Sequence, residues 1–384
     1  MVSAIWILPA AFVLDLFAGD PVYALHPVRL AGRLINWLER HLRRGNLAGF
    51  LGGTILLVAT NCVMAAGYIL LRWIAGRIHP AAVWTLDVFA LYSCIALKDL
   101  HDHARPVALA LGAGNLPAAR DAVARMVGRD VTVLDAPGVA RAAVESVAES
   151  FPDGFLAPVF WYTVFATTGS AEAAVLAALV YRTTNTLDSM VGHRNEKYEW
   201  FGKASARVDD VLNFIPARIS IPFLWAAAVL IGWDAREGRR VAWRDRLKHE
   251  SPNSAHAESF MAGALGLKLG GPTAYADGIV EKPWLGNGTD SATVEHIMAA
   301  CRLIFYAGTM AVIAAWFLLW SIGYEGIGDD GRAGALPSIQ NPVRVTASWR
   351  AELPAHNAAH SAAGGPLCRE LKREPVLQRG GQAA

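Results

Sequence analysis

From Asn46 to Leu71 the chain runs without a single charged side chain, between the basic cluster Arg40, Arg43, Arg44 and the next cation, Arg72. At 1.5 Å rise per residue such a stretch is about 39 Å long as a helix, more than the ~30 Å of bilayer hydrocarbon. A chain carrying it is expected to be a membrane protein, and the composition agrees. Hydrophobic residues make up 54% of the 384 residues and charged ones only 18%, below the ~25% of ordinary soluble domains. The formal net charge of +2 supplies no field that would draw nucleic acid or an acidic partner. Cys62, Cys94, Cys301 and Cys368 include no C-x-x-C pair, which argues against a disulfide framework or a thiolate zinc site.

Further apolar segments are expected at about 2–19, 80–97, 154–181, 219–233 and 303–324. The first lacks Lys or Arg ahead of its apolar part and contains Asp15, so it reads as retained rather than as a cleaved signal. Pro158 and the Thr-Thr-Gly-Ser stretch interrupt 154–181, leaving one full span or a broken, partly re-entrant pair. The segment 219–233 is short for a crossing unless it reaches back through Pro216 and Arg218. Polar loops on both sides of the apolar segments carry Lys and Arg, so at least one segment is expected not to cross. The basic stretch after Trp233, DAREGRRVAWRDRLKHE, is placed in the cytoplasm by the positive-inside rule. Between Leu116 and Glu149, Ala-rich stretches with apolar residues at helical spacing predict amphipathic helices in a large polar loop. Strand signals are scarce, and the fold class is mainly α: a polytopic helical membrane protein with large polar helical loops. The composition beyond Gly326 predicts a membrane-embedded domain over 1–325 and a disordered tail over 326–384.

Four polar clusters adjoin the apolar segments, where unpaired charge is expensive and therefore suggests function. The first, LDLFAGDPVYALHPVRLAGR, holds Asp15, Asp20, His26, Arg29 and Arg33; taken alone, a loop followed by a basic interfacial helix explains it better than a site does. The second holds Arg129 and Asp130, then Glu145, Glu149 and Asp153; Glu145 and Glu149, four apart, share a helix face that suits magnesium or simply solvent. The third is the richest, with Asn185, Asp188 and Ser189 after one apolar segment and Arg207, Asp209, Asp210, Asn213 and Arg218 before the next. In the fourth, Asn253, His256 and Glu258 lead into a small-residue helix, and Gly270, Gly271 and Pro272 turn the chain toward Glu281 and Lys282. No P-loop, H-E-x-x-H or G-x-S-x-G motif is present.

At these clusters the sequence resembles the adenosylcobinamide-phosphate synthase family of cobalamin biosynthesis. The resemblance is carried by LDLFAGDP with HPVRLAGR, GRDVTVLD, ESVAES with PDG and APVFWY, NTLDSMVGHRNEKYEWFGKASARVDDVLNFIPARIS, SPNSAHAESFMAGALGLKLGG and VEKPWLG, in one collinear order over about residues 10–325. Ser150, Phe151 and Val131 depart from the family pattern without removing a charged group. The resemblance implies a multi-pass inner-membrane carbon–nitrogen ligase. Its reaction would join (R)-1-amino-2-propanol O-phosphate to the propionate carboxylate of adenosylcobyric acid, giving adenosylcobinamide phosphate, with ATP and Mg²⁺ required and the corrinoid as substrate. It further implies the lipid bilayer and other late corrinoid-pathway membrane enzymes as surroundings, and no nucleic acid.

A carboxylate is a poor electrophile, so it must be phosphorylated before an amine attacks it; such a site needs magnesium ligands, cations for phosphate and a base. On the matching positions, Glu145, Glu149, Asp153, Asp188, Asp209 and Asp210 are expected to supply base and ligands, with Glu145, Glu149, Asp188 and Asp209 as the magnesium set. Arg129, Arg207, Arg218 and Lys282 would hold phosphates, Asn185, Ser189, Asn253 and Glu258 would bind substrate, and His26 and Arg29 would meet corrinoid or headgroups. Phe160, Trp161 and Trp200 are candidates for a corrinoid wall, although aromatics of the membrane interface explain them better. His193 reads as an exposed loop histidine. Two rivals are a non-catalytic membrane sensor relative of the same family, opposed by the intact NTLDSMVG and FIPARIS segments, and a transporter, which predicts repeats and charges within spans.

Overall fold

The computed structural model describes residues 2–333 other than 22, 24, 194, 250, 276 and 277. It is mostly helical, with only two short antiparallel ladders. Four helical stretches are long and apolar enough to cross a membrane: Phe50–Ile78 (α3), Pro80–Gly112 (the helices α4, Pro80–Tyr92, and α5, Leu97–Gly112), Lys203–Ile231 (α10) and Val294–Gly323, the apolar part of α13 (Val294–Ala333). Their outward faces carry Val58, Leu70, Trp73, Val229, Leu230, Ile313 and Phe317, all exposed, as lipid-facing side chains should be.

The expected span at 46–71 is the body of α3, and 219–233 does reach back through Pro216 to Lys203, with two prolines accommodated inside α10. The segment 154–181 is broken: a π turn (Pro152–Leu156) leads into the ten-residue α8 (Ala157–Ala166), then a turn at Gly169 into α9 (Ala171–Val191). The first apolar segment becomes α1 (Val2–Ala18), followed by the strongly amphipathic, basic α2 (Pro27–Arg44). Helix α13 continues past Gly326 to Ala333, and the rest of the expected tail lies outside the described residues.

The loop 116–149 was expected to carry solvent-facing amphipathic helices. Instead α7 (Ala136–Phe151), started by Pro137 and the Asp135 side chain capping Gly138 N–H, is buried on most of its surface. Its many alanines and valines let it pack against α5, α6 (Leu116–Val123), α12 (Ser254–Ala264) and α13 together, so it is a core helix rather than a surface one.

Helices α9 and α10 form an antiparallel hairpin through residues 192–202. At the far end of α9, Glu172 joins a partly buried network in which Arg72 pairs with Asp87 (3.0 Å) and Glu172 (2.6 Å) and Tyr68 donates to Asp87 (2.7 Å). Sixteen residues later, roughly 24 Å along the helix, α9 delivers Asp188 to the opposite end. There it meets the first turns of α10, the C-terminus of α7, and a polar stretch from α11 (Ala235–Asp245) through residue 290.

Candidate functional site

That end of the molecule holds two connected cavities of about 490 Å³ and 760 Å³, sharing Glu149, His193, His249, Tyr275, Lys282 and Pro283 as walls. The larger is faced by Asp153, Asp188, Asp209 and Asp210, the smaller by Arg129, Glu145, Lys248 and Glu258.

The acidic wall comes from three elements. Asp209 is held by two amides: Asn185 Nδ2 donates to Oδ1 (3.3 Å) and Asn213 Nδ2 to Oδ2 (2.9 Å). Asn213 Oδ1 in turn accepts from the buried Tyr181 hydroxyl (2.7 Å), and Arg182 donates to Asn185 Oδ1 (3.3 Å). Amides that donate but add no charge fix a carboxylate without neutralising it, and each oxygen keeps acceptor capacity. Asp153 and Asp188 accept no hydrogen bond and form no ion pair on their carboxylates among the described residues. Burial, with Asp210 nearby, pushes the Asp188 carboxyl up to about 6. Burial and the neighbouring Asp209, Glu149 and Asp188 push Asp153 well above the usual carboxylate range. The backbone at 192 must be glycine: a Cβ there would lie 1.9 Å from Asp188 Oδ1.

The cationic wall is carried by a loop that is itself pinned. Glu145, 4% exposed, pairs with Arg129 (2.5 Å) and accepts the Gly270 N–H (2.7 Å). Gly271 has φ +76°, and a Cβ there would sit 2.3 Å from the Trp284 ring, so this turn requires glycine for both conformation and space. Two short ladders, Leu269–Gly270 with Trp284–Leu285 and Thr273–Tyr275 with Gly278–Val280, bring Lys282 back over the cavity, 2.8 Å from Tyr275 Oη.

Asp245, fully buried, anchors the loop's exit by accepting the Gly286 N–H (2.9 Å) while pairing with Arg244 and Lys248. Burial alone would push Asp245 up, but Arg244, the Gly286 N–H and Lys248 together hold it well below the usual carboxylate range. The sign follows: a carboxyl lowered on folding contributes stability that is complete above the unfolded value near pH 4 and is lost as pH falls toward the folded one. Asp245→Asn should therefore lower the melting temperature at pH 7 and flatten the acid limb of the stability profile, measured by thermal unfolding in detergent between pH 3 and pH 7.

Several expected residues lie elsewhere. Glu145 is fully engaged with Arg129 and Gly270, so it positions the loop rather than offering itself as ligand or base. Asn185 faces Asp209, Ser189 bonds back to the Asn185 carbonyl (2.9 Å), and Asn253 donates to the Asp210 carbonyl (2.8 Å) and accepts from Arg218 (3.4 Å); all three are internal ties. Arg207 is exposed and Arg218 lies over the Phe214 ring; neither lines a cavity. His26 Nε2 sits 2.8 Å from Asp20, with Arg29 exposed nearby, again outside both cavities. Asp130 closes a local turn onto Thr132. Phe160, Trp161 and Trp200 line neither cavity; Trp161 donates to the Leu212 carbonyl and Trp200 is exposed under Lys203. His193, read as a plain loop residue, lines both cavities, as do His249 and Tyr275.

Comparison with known proteins agrees with the motifs. The family model described as CobD/Cbib protein matches residues 8–304. The chain is 39% identical over 319 residues to the cobalamin biosynthesis protein CobD of Photorhabdus laumondii, covering 82% of this chain and 96% of the relative. It is 39% identical over 323 residues to the cobalamin biosynthesis protein CbiB of Salmonella typhi, covering 83% and 97%. No solved structure matches it. With its motifs in collinear order and nearly the whole length of these relatives covered, the chain belongs to the CobD/CbiB family.

Proposed function

We propose that this protein is a membrane enzyme of cobalamin biosynthesis, an adenosylcobinamide-phosphate synthase. It would join the amine of (R)-1-amino-2-propanol O-phosphate to the propionate carboxylate of adenosylcobyric acid in an ATP-driven amide ligation, within residues 1–325. The observation that carries this reading is the pair of cavities that share walls, with the carboxylates of Asp153, Asp188, Asp209 and Asp210 facing one, Arg129 and Lys248 facing the other, and Lys282 lining both. Ligation by way of a phosphorylated carboxylate needs both kinds of wall in one space. The cavity-lining charges gather at one end of the helices, and the charged network at the other end, Arg72 with Asp87 and Glu172, is internally paired; both favour ligation over transport.

Asp153, Asp188 and Asp209 offer hard carboxylate oxygens of the kind magnesium takes, those of Asp153 and Asp188 without hydrogen-bond or ion-pair partners among the described residues. Bound there, magnesium would offset the charge of a polyphosphate. Arg129 and Lys282 would hold phosphate oxygens, Arg129 oriented by Glu145. We place the protein in the cell's inner membrane, with the basic α11 on the cytoplasmic side where ATP is available.

Purified protein in detergent, given adenosylcobyric acid, ATP, Mg²⁺ and aminopropanol phosphate, should yield the corrinoid amide by mass spectrometry, with no product when ATP is omitted. Product formed without ATP, or none with all components present, would overturn the assignment.

A further inference from the structure

Where the two cavities meet, one ligand atom each from Glu149, His249 and Glu258 lie within 4.8 Å of one another. These three come from α7, the 246–253 turn and α12, so the tertiary fold and not a local motif gathers them. Glu258 is the informative member. It is 6% exposed, lines the smaller cavity, and neither accepts a hydrogen bond nor forms an ion pair among the described residues. A buried carboxylate without a partner costs several kcal/mol unless something neutralises it. Arg129 and Lys282 line the same cavity, but Arg129 is committed to Glu145 and Lys282 to Tyr275.

We propose that Glu149, His249 and Glu258 form a divalent transition-metal site, distinct from the aspartate wall and selective for ions such as Mn²⁺ over Mg²⁺. The donor chemistry sets the preference. Magnesium takes oxygen ligands and sheds water reluctantly, whereas an imidazole beside two carboxylates suits Mn²⁺, Fe²⁺ or Zn²⁺. Glu149 is exposed to the cavity and Glu258 buried behind it, so the ion would be entered from the cavity and keep open positions toward it. His249 Nδ1 accepts the Ser251 N–H (3.1 Å), a bond that holds the ring in place beside the two carboxylates. The inference deepens the ligase reading by naming a second cation of the same cavity, and rests on that reading for the ion's use but not for its binding.

The test is Mn²⁺ binding to the full-length protein in detergent, followed by the electron paramagnetic resonance signal of free Mn²⁺. Magnesium is present in roughly hundredfold excess to fill the all-oxygen face. One Mn²⁺ per chain should remain bound, and Glu258→Gln and His249→Gln should each weaken it by about tenfold or more. His249→Cys should bind Cd²⁺ in place of Mn²⁺, a gain that a misfolded variant would not give. Failure of the wild type to retain Mn²⁺ against Mg²⁺, or retention unchanged in both Gln variants, would overturn the site. No nucleotide or corrinoid is present, so absent ligation with intact Mn²⁺ binding counts against the ligase reading alone. Active enzyme that retains no Mn²⁺ counts against this site alone.

Discussion

Asp188→Asn and Asp209→Asn should each reduce ligation by about a thousandfold or more while leaving the protein folded in the membrane. A carboxylate that serves as base or magnesium ligand is worth several kcal/mol of transition-state stabilisation, and each 1.4 kcal/mol is a factor of ten. Neither substitution is expected to damage the fold. Asp188 has no protein partner to lose, and Asn at 209 still offers an oxygen to one of its two amide donors, Asn185 and Asn213. The check is steady-state turnover with saturating ATP and magnesium, alongside size-exclusion profile and helical content in detergent. Near-wild-type turnover in both variants would remove the aspartate wall from the chemistry. Arg207→Ala supplies the contrast: its exposed position away from the cavities predicts turnover within about twofold of wild type, whereas sequence reasoning assigned it to phosphate.

Arg129→Met should be the most destabilising single change at the site. It strands the buried Glu145 carboxylate, and breaking a buried pair from one side typically costs about 3–5 kcal/mol. Arg141, 3.9 Å from Glu145, will recover part of that, so the lower end of the range is expected. The double variant Arg129→Met with Glu145→Gln should regain most of the stability, because glutamine still accepts the Gly270 N–H and leaves no buried charge unpaired. It should regain none of the activity if Arg129 holds phosphate. Denaturant or thermal unfolding combined with turnover separates the two outcomes; recovery of activity in the double variant would make Arg129 purely structural.

The membrane character and the third polar cluster were legible in the sequence because both are local facts. An uncharged run has a length, and aspartates beside such runs are costly wherever the chain goes. The parts that were not legible depend on what distant segments do. The i,i+4 spacing of Glu145 and Glu149 places both on one face of α7, but cannot show that Gly270 and Arg129 engage Glu145 while Glu149 takes no hydrogen bond or ion pair among the described residues. Asn185 and Asn253 look like substrate contacts in the sequence because they sit among charges; their partners, Asp209 and the Asp210 carbonyl, lie on another helix. Arg182, at the base of the Asn185–Asp209–Asn213 network, directly follows the apolar segment 154–181 and opens the third polar cluster, yet nothing in its position there marks it as a donor to Asn185. His249 gave no signal beyond its place near a basic stretch, and it becomes interesting only beside Glu149 and Glu258.

The pinned loop has a consequence for how the protein is born. The chain emerges from the ribosome in order, so α7, α9 and α10 with their aspartates are synthesised before Lys248, Gly270 and Lys282 exist. Until α11 and α12 fold back and Asp245 grips Gly286, Asp153, Asp188 and Asp209 have only Arg129 of the cavities' three cations, Lys248 and Lys282 being still to come. That charged end is poorly suited to sinking into hydrocarbon. Helix insertion and completion of the site are thereby separated in chain order: a charged end favours keeping the α9–α10 connection in water while the membrane segments settle, and both walls of the site exist only once the loop carrying Lys282 has closed over it.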